Sequence, residues 1–404
     1  AMRHLKWGLL LCAVLLSGCS WFSKKTGQEP MELESFKETA KLSEIWSRGV
    51  GDGQGIGLTQ LTPVIDGDRI YTVDHEGVVT ALNRQNGKKL WSTKITKEIS
   101  GWIGSVVYSF KEKDLNHGIT GGISYADGLL YIGNYAGEVV ALSATNGKEI
   151  WRKQLKGEIS SVPQTNGQVV AVQTMNGKLF VLDAKTGADM WFFENPPPVL
   201  TLRGSAAPLV TDSAIFAGFA NGRLMAFNPS NGLILWEQRM ALPKGRSELD
   251  RMVDIHASPL IKDGILFVGT YQGRIAAVAR GTGGSVWGVD GSTSESLAAA
   301  DDKLFVSQSD GKVTAYSLTS GEQLWQNEKL LRRRLSGPQT FGDYVAVVDF
   351  EGYMHVMNQS NGELAARDRV DRKGVRAPML TDGTTLYVYG NGGNLMAFTA
   401  KAKK

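Results

Sequence analysis

Covalent or metal chemistry in a protein starts from thiols, imidazoles or grouped carboxylates, and this chain uses the first two sparingly. Its 404 residues contain two cysteines, Cys12 and Cys19, and five histidines, His4, His75, His117, His256 and His355. Both cysteines fall within the first 19 residues, so the remainder carries no disulfide, no thiolate metal site and no cysteine nucleophile. The histidines show no metal-ligand spacing, and no group of acidic and amide side chains has the pattern of a calcium loop. Arg332-Arg333-Arg334 is a tempting anion site. Adjacent residues of an extended segment alternate faces and seldom converge, which favours a solvated charged loop. A net charge of +4, spread along the chain, lacks the concentrated basic surface of a nucleic-acid binder. No catalytic, metal-binding or cofactor-binding residue is expected.

One cysteine has a special context. Setting aside Ala1, which precedes Met2 and reads as foreign to the natural start, the chain opens with Arg3 and Lys6 and an apolar run from Trp7 to Leu16. The run is too short to span a bilayer, which takes roughly 20 apolar residues. It ends in Leu16-Ser17-Gly18-Cys19. This resembles the lipoprotein box of bacterial signal peptides, in which the cysteine is acylated and becomes the first residue; the alternative is a plain signal peptide with a chance cysteine. Residues 1–18 are thus expected to be a signal peptide, Cys19 the lipidation site and 19–41 a polar, flexible tether. Ser20 follows the cysteine where Asp would signal retention at the inner membrane, so the resemblance implies the outer membrane.

The rest, 42–404, is a repeat. Gly77–Trp91 reads GVVTALNRQNGKKLW, Gly137–Trp151 reads GEVVALSATNGKEIW and Gly311–Trp325 reads GKVTAYSLTSGEQLW. Anchored on the first glycine there are eight copies, at Gly77, Gly137, Gly177, Gly222, Gly273, Gly311, Gly352 and Gly393. A period near 40 with three longer intervals points to propeller blades carrying loop insertions. Within a copy, short alternating apolar segments are separated by glycine-containing turns, as in QVVAVQT (168–174), Asn176-Gly177, KLFVLDA (178–184), Thr186-Gly187 and ADMW (188–191). Small-residue segments ending in proline, such as SSVP (160–163), SAAP (205–208) and HASP (256–259), are read as the innermost strands. The fold class is all-β: an eight-bladed β-propeller of four-stranded antiparallel blades.

A tryptophan closes the phrase at Trp91, Trp151, Trp191, Trp236, Trp287 and Trp325, and Ala366 stands there in the seventh copy. One indole per blade at a fixed offset is expected to pack between neighbouring blades, burying on the order of 150–250 Å²; a sugar-stacking role is the lesser alternative. The eighth copy, GNLMAFTAKAKK, stops after its third strand, whereas SEIWSRGVG (43–51) precedes the first unit. The N-terminal strand is therefore expected to close the last blade, with Trp46 in the eighth tryptophan position.

The repeat is similar to that of the pyrroloquinoline-quinone dehydrogenases, eight-bladed enzymes. The cysteine ring and calcium cluster of such enzymes have no counterpart here, and the chain is shorter, so an enzyme is the alternative reading. The lipoprotein box, the tether and two local matches, LTLRGSAAP (200–208) and SELDRMVDIHASP (247–259), together resemble the BamB family of the β-barrel assembly machinery of Gram-negative bacteria. The resemblance covers essentially the whole chain. It implies a cofactor-free scaffold on the periplasmic face of the outer membrane that binds the POTRA domains of BamA, and it carries the contact residues onto Leu200, Leu202, Arg203 and Asp254. His256 stands where a second Asp is common in the family, which puts a two-carboxylate contact in doubt. A further alternative is a propeller that holds unfolded barrel precursors by strand pairing at an exposed sheet edge.

The residues lead to the same loops without the family. The long connections, 92–122, 192–204 and 237–255, all join one blade to the next and so emerge on one face. Long loops on a rigid scaffold tend to carry function. Leu200 and Leu202 beside Pro196-Pro197-Pro198 are apolar for a solvated loop. They are read as partner anchors, or alternatively as caps on a blade core.

Overall fold

The computed structural model describes residues 29–56, 60–96, 118–159, 161–198, 206–242, 246–247 and 249–404. These form eight separate four-stranded antiparallel sheets arranged as a ring, an eight-bladed β-propeller. Strands are named A to D from the central channel outward. Blades 1 to 7 span residues 64–94, 119–154, 164–194, 209–239, 260–291, 298–327 and 339–369. Blade 8 takes A, B and C from Leu380–Thr381, Leu386–Tyr389 and Asn394–Ala402, and its D strand from Ala40–Gly49. Ala40 faces Ala402 and Gly49 faces Asn394, so the two ends of the chain close the ring as one sheet. The expected closure holds, with the D strand starting two residues before the expected boundary at 42.

Burial follows position in the blade. B and C strands are packed on both faces by neighbouring blades, so they are apolar almost throughout, as in Val169–Gln173. D strands alternate, because their outer face meets water. The innermost strands differ from the sequence reading. The proline motifs lie just ahead of the A strands rather than within them: SAAP precedes Leu209–Val210 and SSVP precedes Gln164–Thr165. Proline has no N–H to give to a ladder and so sits where pairing has not yet begun.

Each residue of the repeated phrase has a distinct structural task. The first glycine turns the chain from B to C with φ positive, 84° at Gly137. The alanine lies opposite the tryptophan of its own blade, Ala81 to Trp91, Ala141 to Trp151 and Ala315 to Trp325. A small side chain there leaves the indole free to turn sideways, and a β-bulge follows at once in each pair, increasing the local twist. The indole then reaches the next blade, where its Nε1 donates to a carbonyl beside the C–D turn. Trp46 donates to Arg84, Trp91 to Ala144, Trp151 to Ala184, Trp191 to Pro229, Trp236 to Arg280, Trp287 to Leu318 and Trp325 to Gln359, at 2.8 to 3.0 Å. The second glycine of that next copy receives the ring: a Cβ on Gly187 would stand 2.6 Å from Trp151. Thus glycine and tryptophan of one phrase never meet each other; each meets its counterpart one blade away.

Ala366 follows from the same arrangement. Blade 8 has no C–D turn, because its C strand runs to the C-terminus and its D strand arrives from the N-terminus. No turn glycine exists there to receive an indole from blade 7.

Of the three arginines, Arg332 and Arg334 are exposed as the sequence reading expects, and Arg333 is not. Arg333 is 3 % exposed and bonds the carboxylates of Asp349, at 2.7 Å, and Glu351. His355 and Arg367 complete the cluster. The Arg367 Nε donates to His355 Nδ1, which leaves His355 Nε2 to donate to Asp349. Burial holds His355 below its usual pKa, consistent with that neutral form. Burial pushes the Asp349 carboxyl up, but the hydrogen bonds from His355 and Arg333 outweigh it and hold the group below the usual range. Arg332 and Arg334, both at positive φ, flank Arg333: Arg332 Nε donates to the Glu29 carbonyl, and the Arg334 guanidinium lies over the Phe350 ring at 5.9 Å, as that of Arg333 does at 5.2 Å.

Trp151→Ala is expected to cost about 3–5 kcal/mol of stability, the range for removing a buried tryptophan. Gly187→Ala is expected to be destabilising in the wild type and clearly less so in the Trp151→Ala background, because both changes act on one contact. Urea unfolding of the two single variants and the double variant measures this. Strict additivity would show that the latch is not a shared contact.

Candidate functional site

The B–C turns and the D-to-A connections share one face of the ring. The two connections of interest run from blade 3 to blade 4, residues 195–208, and from blade 4 to blade 5, residues 240–259. Between them lies a cleft lined by Gln173, Met175, Asn195, Pro197, Phe219, Asp254 and His256. Its volume of about 30 Å³ suits a water molecule or the tip of an inserted side chain.

Local chemistry fixes the walls. Asn195 donates its N–H to the Gly177 carbonyl, and its side-chain oxygen accepts from Arg223 Nη1 at 3.0 Å. Arg223 is itself clamped by both oxygens of Glu237 at 2.6 Å, which raises the Arg223 pKa and lowers that of Glu237. Pro197 lies over Gly177, where a Cβ would meet its Cδ at 3.0 Å. The other wall comes from the 4-to-5 connection: Ile255 donates to the Phe219 carbonyl and packs across Gly218, and the Asp254 carbonyl accepts from Tyr271. Neither Gly177 nor Gly218 has room for a side chain, so these close approaches depend on both glycines.

Asp254 is only 2 % exposed and forms part of the cleft wall rather than offering a charge on an open surface. His256 sits beside it, partly exposed, and burial lowers its pKa. Leu200, Leu202 and Arg203 lie outside the described residues, as does Cys19. The flanks of their segment are described: Pro197 lines the cleft, and Ala206 is buried in the core shared by blades 4 and 5.

Sequence reasoning passed over Met175, Asn195, Phe219, Leu242 and Leu249. The last two are about 60 % exposed on the 240–259 connection and leave apolar surface on that connection. A signal was present for Leu249: Ser247-x-x-Asp250 is a reciprocal capping pattern, and the Asp250 N–H does donate to Ser247 Oγ while Ser247 N–H donates to Asp250. That pattern marks a fixed turn that holds Leu249 out. Met175 and Phe219 gave none, because they read as ordinary repeat positions.

Comparison with known proteins places this arrangement. The family model described as outer membrane protein assembly factor BamB matches residues 32–102, 102–327 and 309–403. The chain belongs to the BamB family. It is 42 % identical over 393 residues to the outer membrane protein assembly factor BamB of Pseudomonas aeruginosa, covering 97 % of this chain and 98 % of that protein. To the BamB of Salmonella typhimurium it is 32 % identical, covering 96 % and 97 %. The crystal structure of BamB from Moraxella catarrhalis superposes with a TM-score of 0.76 at 26 % identity, covering 89 % of this chain and all of that one. The quinohemoprotein alcohol dehydrogenase of Comamonas testosteroni, at 14 % identity and a TM-score of 0.65, covers 89 % of this chain and 76 % of its own and shares the fold alone. The eight-bladed scaffold is therefore common to BamB proteins and quinoprotein enzymes, and the fold by itself does not separate them.

The low pKa of His256 makes stability depend on pH. Its folded value lies below the ordinary 6.5, so the unfolded chain takes up the proton first. Stability is full above about pH 6.5 and declines as pH falls toward the folded value, by no more than about 1.4 kcal/mol per pH unit for one histidine. Urea midpoints of wild type and His256→Gln at pH 7.5 and 5.5 measure it. A smaller loss is expected in the variant, with the remainder including His355, which burial lowers in the same sense. An unchanged loss would remove His256 from the account.

Proposed function

We propose that this chain is a non-enzymatic scaffold of outer-membrane protein assembly. It is anchored through acylated Cys19 at the periplasmic face of the outer membrane, and its cleft face binds the periplasmic POTRA domains of BamA. The observation that carries the reading is similarity over nearly the full length, at 42 % identity, to an outer membrane protein assembly factor. The geometry agrees with it: a rigid ring gathers its long connections on one face, around a cleft that admits a side-chain tip. In this reading Leu200, Leu202 and Arg203 supply the contact from the 3-to-4 connection, and Asp254 acts from within the wall by fixing the cleft's shape.

A second reading rests on a different observation. The D strand of blade 3 carries Phe192, 60 % exposed, and that of blade 4 carries Ile234 and Leu235, half exposed, directly after Leu233 of the C–D turn, 65 % exposed. An apolar strand edge of this kind is able to accept an extended segment of a nascent outer-membrane protein by strand addition.

Leu200→Ala with Arg203→Ala is expected to weaken binding to the purified BamA periplasmic domains about thirtyfold, the equivalent of about 2 kcal/mol at an interface anchor. Its thermal midpoint is expected to stay near that of wild type. The core-cap alternative gives the reverse, lost stability with affinity retained. Cys19→Ala is expected to leave the outer-membrane fraction on envelope fractionation; unchanged fractionation would refute lipid anchoring. Binding of an unfolded barrel precursor that survives the loop substitutions but is lost in Leu233→Lys/Leu235→Lys would establish the second reading.

A further inference from the structure

The seven indole latches leave one joint of the ring without one, between blades 7 and 8. The residues just before the D strand of blade 8 occupy it. Met31 donates its N–H to the Leu331 carbonyl, and Arg333 Nη1 donates to the Met31 carbonyl. Arg367 Nη1 donates to the Glu34 carbonyl at 2.8 Å, and its guanidinium lies over the Phe36 ring at 4.9 Å. Thr39 donates to the Ala365 carbonyl and accepts from the Lys403 N–H, while Glu38 pairs with Lys403 Nζ at 2.6 Å. Leu33 packs into the core of blades 6 and 7. The segment 31–39 is thus a strap down the outer edge of blade 7, beside Ala366 where the other blades place an indole.

Its direction matters. Leu331 and Arg333 belong to the connection from blade 6 to blade 7, on the cleft face. The D strand of blade 7 runs toward that face, and the strap's partners on it descend from Arg367 to Ala365 as the strap ascends from 34 to 39. The described chain therefore joins the ring, at Glu29, on the cleft face. It does so at the joint of blades 6 and 7, three of eight steps around the ring from the cleft between blades 3 and 4.

We propose that residues 31–39 are the eighth latch of the ring and that, by fixing the exit of the anchored N-terminus on the cleft face, they orient that face toward the membrane while leaving the cleft unobstructed. The orientation rests on lipid anchoring at Cys19. From Cys19 to Glu29 there are ten residue steps, which reach at most about 35 Å. The cleft face is then held near the leaflet, with the opposite face farther away by about 20 Å, the rise of a six-residue strand.

The acylated protein in phosphatidylethanolamine and phosphatidylglycerol vesicles with a headgroup energy acceptor tests this. Acylation consumes the Cys19 thiol, and residues 20–404 contain no cysteine, so single labels can be placed at Leu249→Cys on the cleft face and Ser230→Cys on the C–D turn of blade 4. The Leu249 probe is expected nearer the bilayer by about 20 Å, and in a Phe36→Ala/Arg367→Ala background the difference is expected to shrink. A Ser230 probe that is equally near or nearer overturns the orientation. Intact mass determined beforehand separates the two claims: an unacylated chain that ignores vesicles overturns the lipid reading and the orientation with it. Hydrogen exchange on the soluble Cys19→Ala protein decides the strap in either case. The Met31 and Thr39 amides are expected to be protected, and exchange at the rate of a free peptide overturns the latch.

Discussion

The fold depends on an interaction that no blade makes within itself. A four-stranded sheet with two apolar faces has no stable existence alone, and the ring exists because each outer tryptophan reaches into the next blade. There it satisfies its indole N–H on a carbonyl beside the C–D turn and lies against a glycine that has no side chain to obstruct it. Area and polarity are settled together: the ring is buried between blades and its one donor is not stranded. A glycine at positive φ serves both the turn and the contact, which is why the turn chemistry and the tryptophan recur in a single phrase.

Closure by a foreign strand follows from the same constraint and has a local cost. Supplying the outer strand of blade 8 from the N-terminus removes a C–D turn, and with it the receiving site for an indole from blade 7. The structure meets this with the strap and with a buried ionic cluster beside it. Arg333, Asp349, His355 and Arg367 are bonded in series, and Arg333 and Arg367 also grip main-chain carbonyls of the strap. A buried cluster of this kind contributes little net stability relative to an apolar core, but losing one member is expensive because the remaining charges lose their partners. Its value lies in specifying one position for the N-terminal segment.

A ring so latched leaves its connections free to diverge. The turn-bearing C–D face is held to the repeat because its glycines receive the indoles. On the cleft face the D-to-A connections carry no such duty, and the long insertions occur there. Two of them meet over Gly177 and Gly218 to make the cleft, and the 4-to-5 connection reaches back across blade 4 to supply Asp254 and His256.

The architecture was legible in the chain because it is periodic. Eight spaced glycines, the alternation between them and the displaced Trp46 determine blade number, strand order and closure, since each depends on contacts one repeat away in an arrangement that the repeat itself enforces. Even the Ala366 exception is written there, as the counterpart of a last copy that lacks its turn. Where periodicity ends, the sequence becomes silent. Arg333 reads as one of three surface arginines until Asp349 and Glu351 arrive from the next blade to pair with it. The tether reads as polar and free until Arg367 and Lys403, more than 320 residues away, take hold of its end. Asp254 reads as an exposed contact residue until the return of its loop buries it. These depend on single, non-repeating pairings between distant residues, and only the tertiary structure decides which charges become partners and which side chains remain in water.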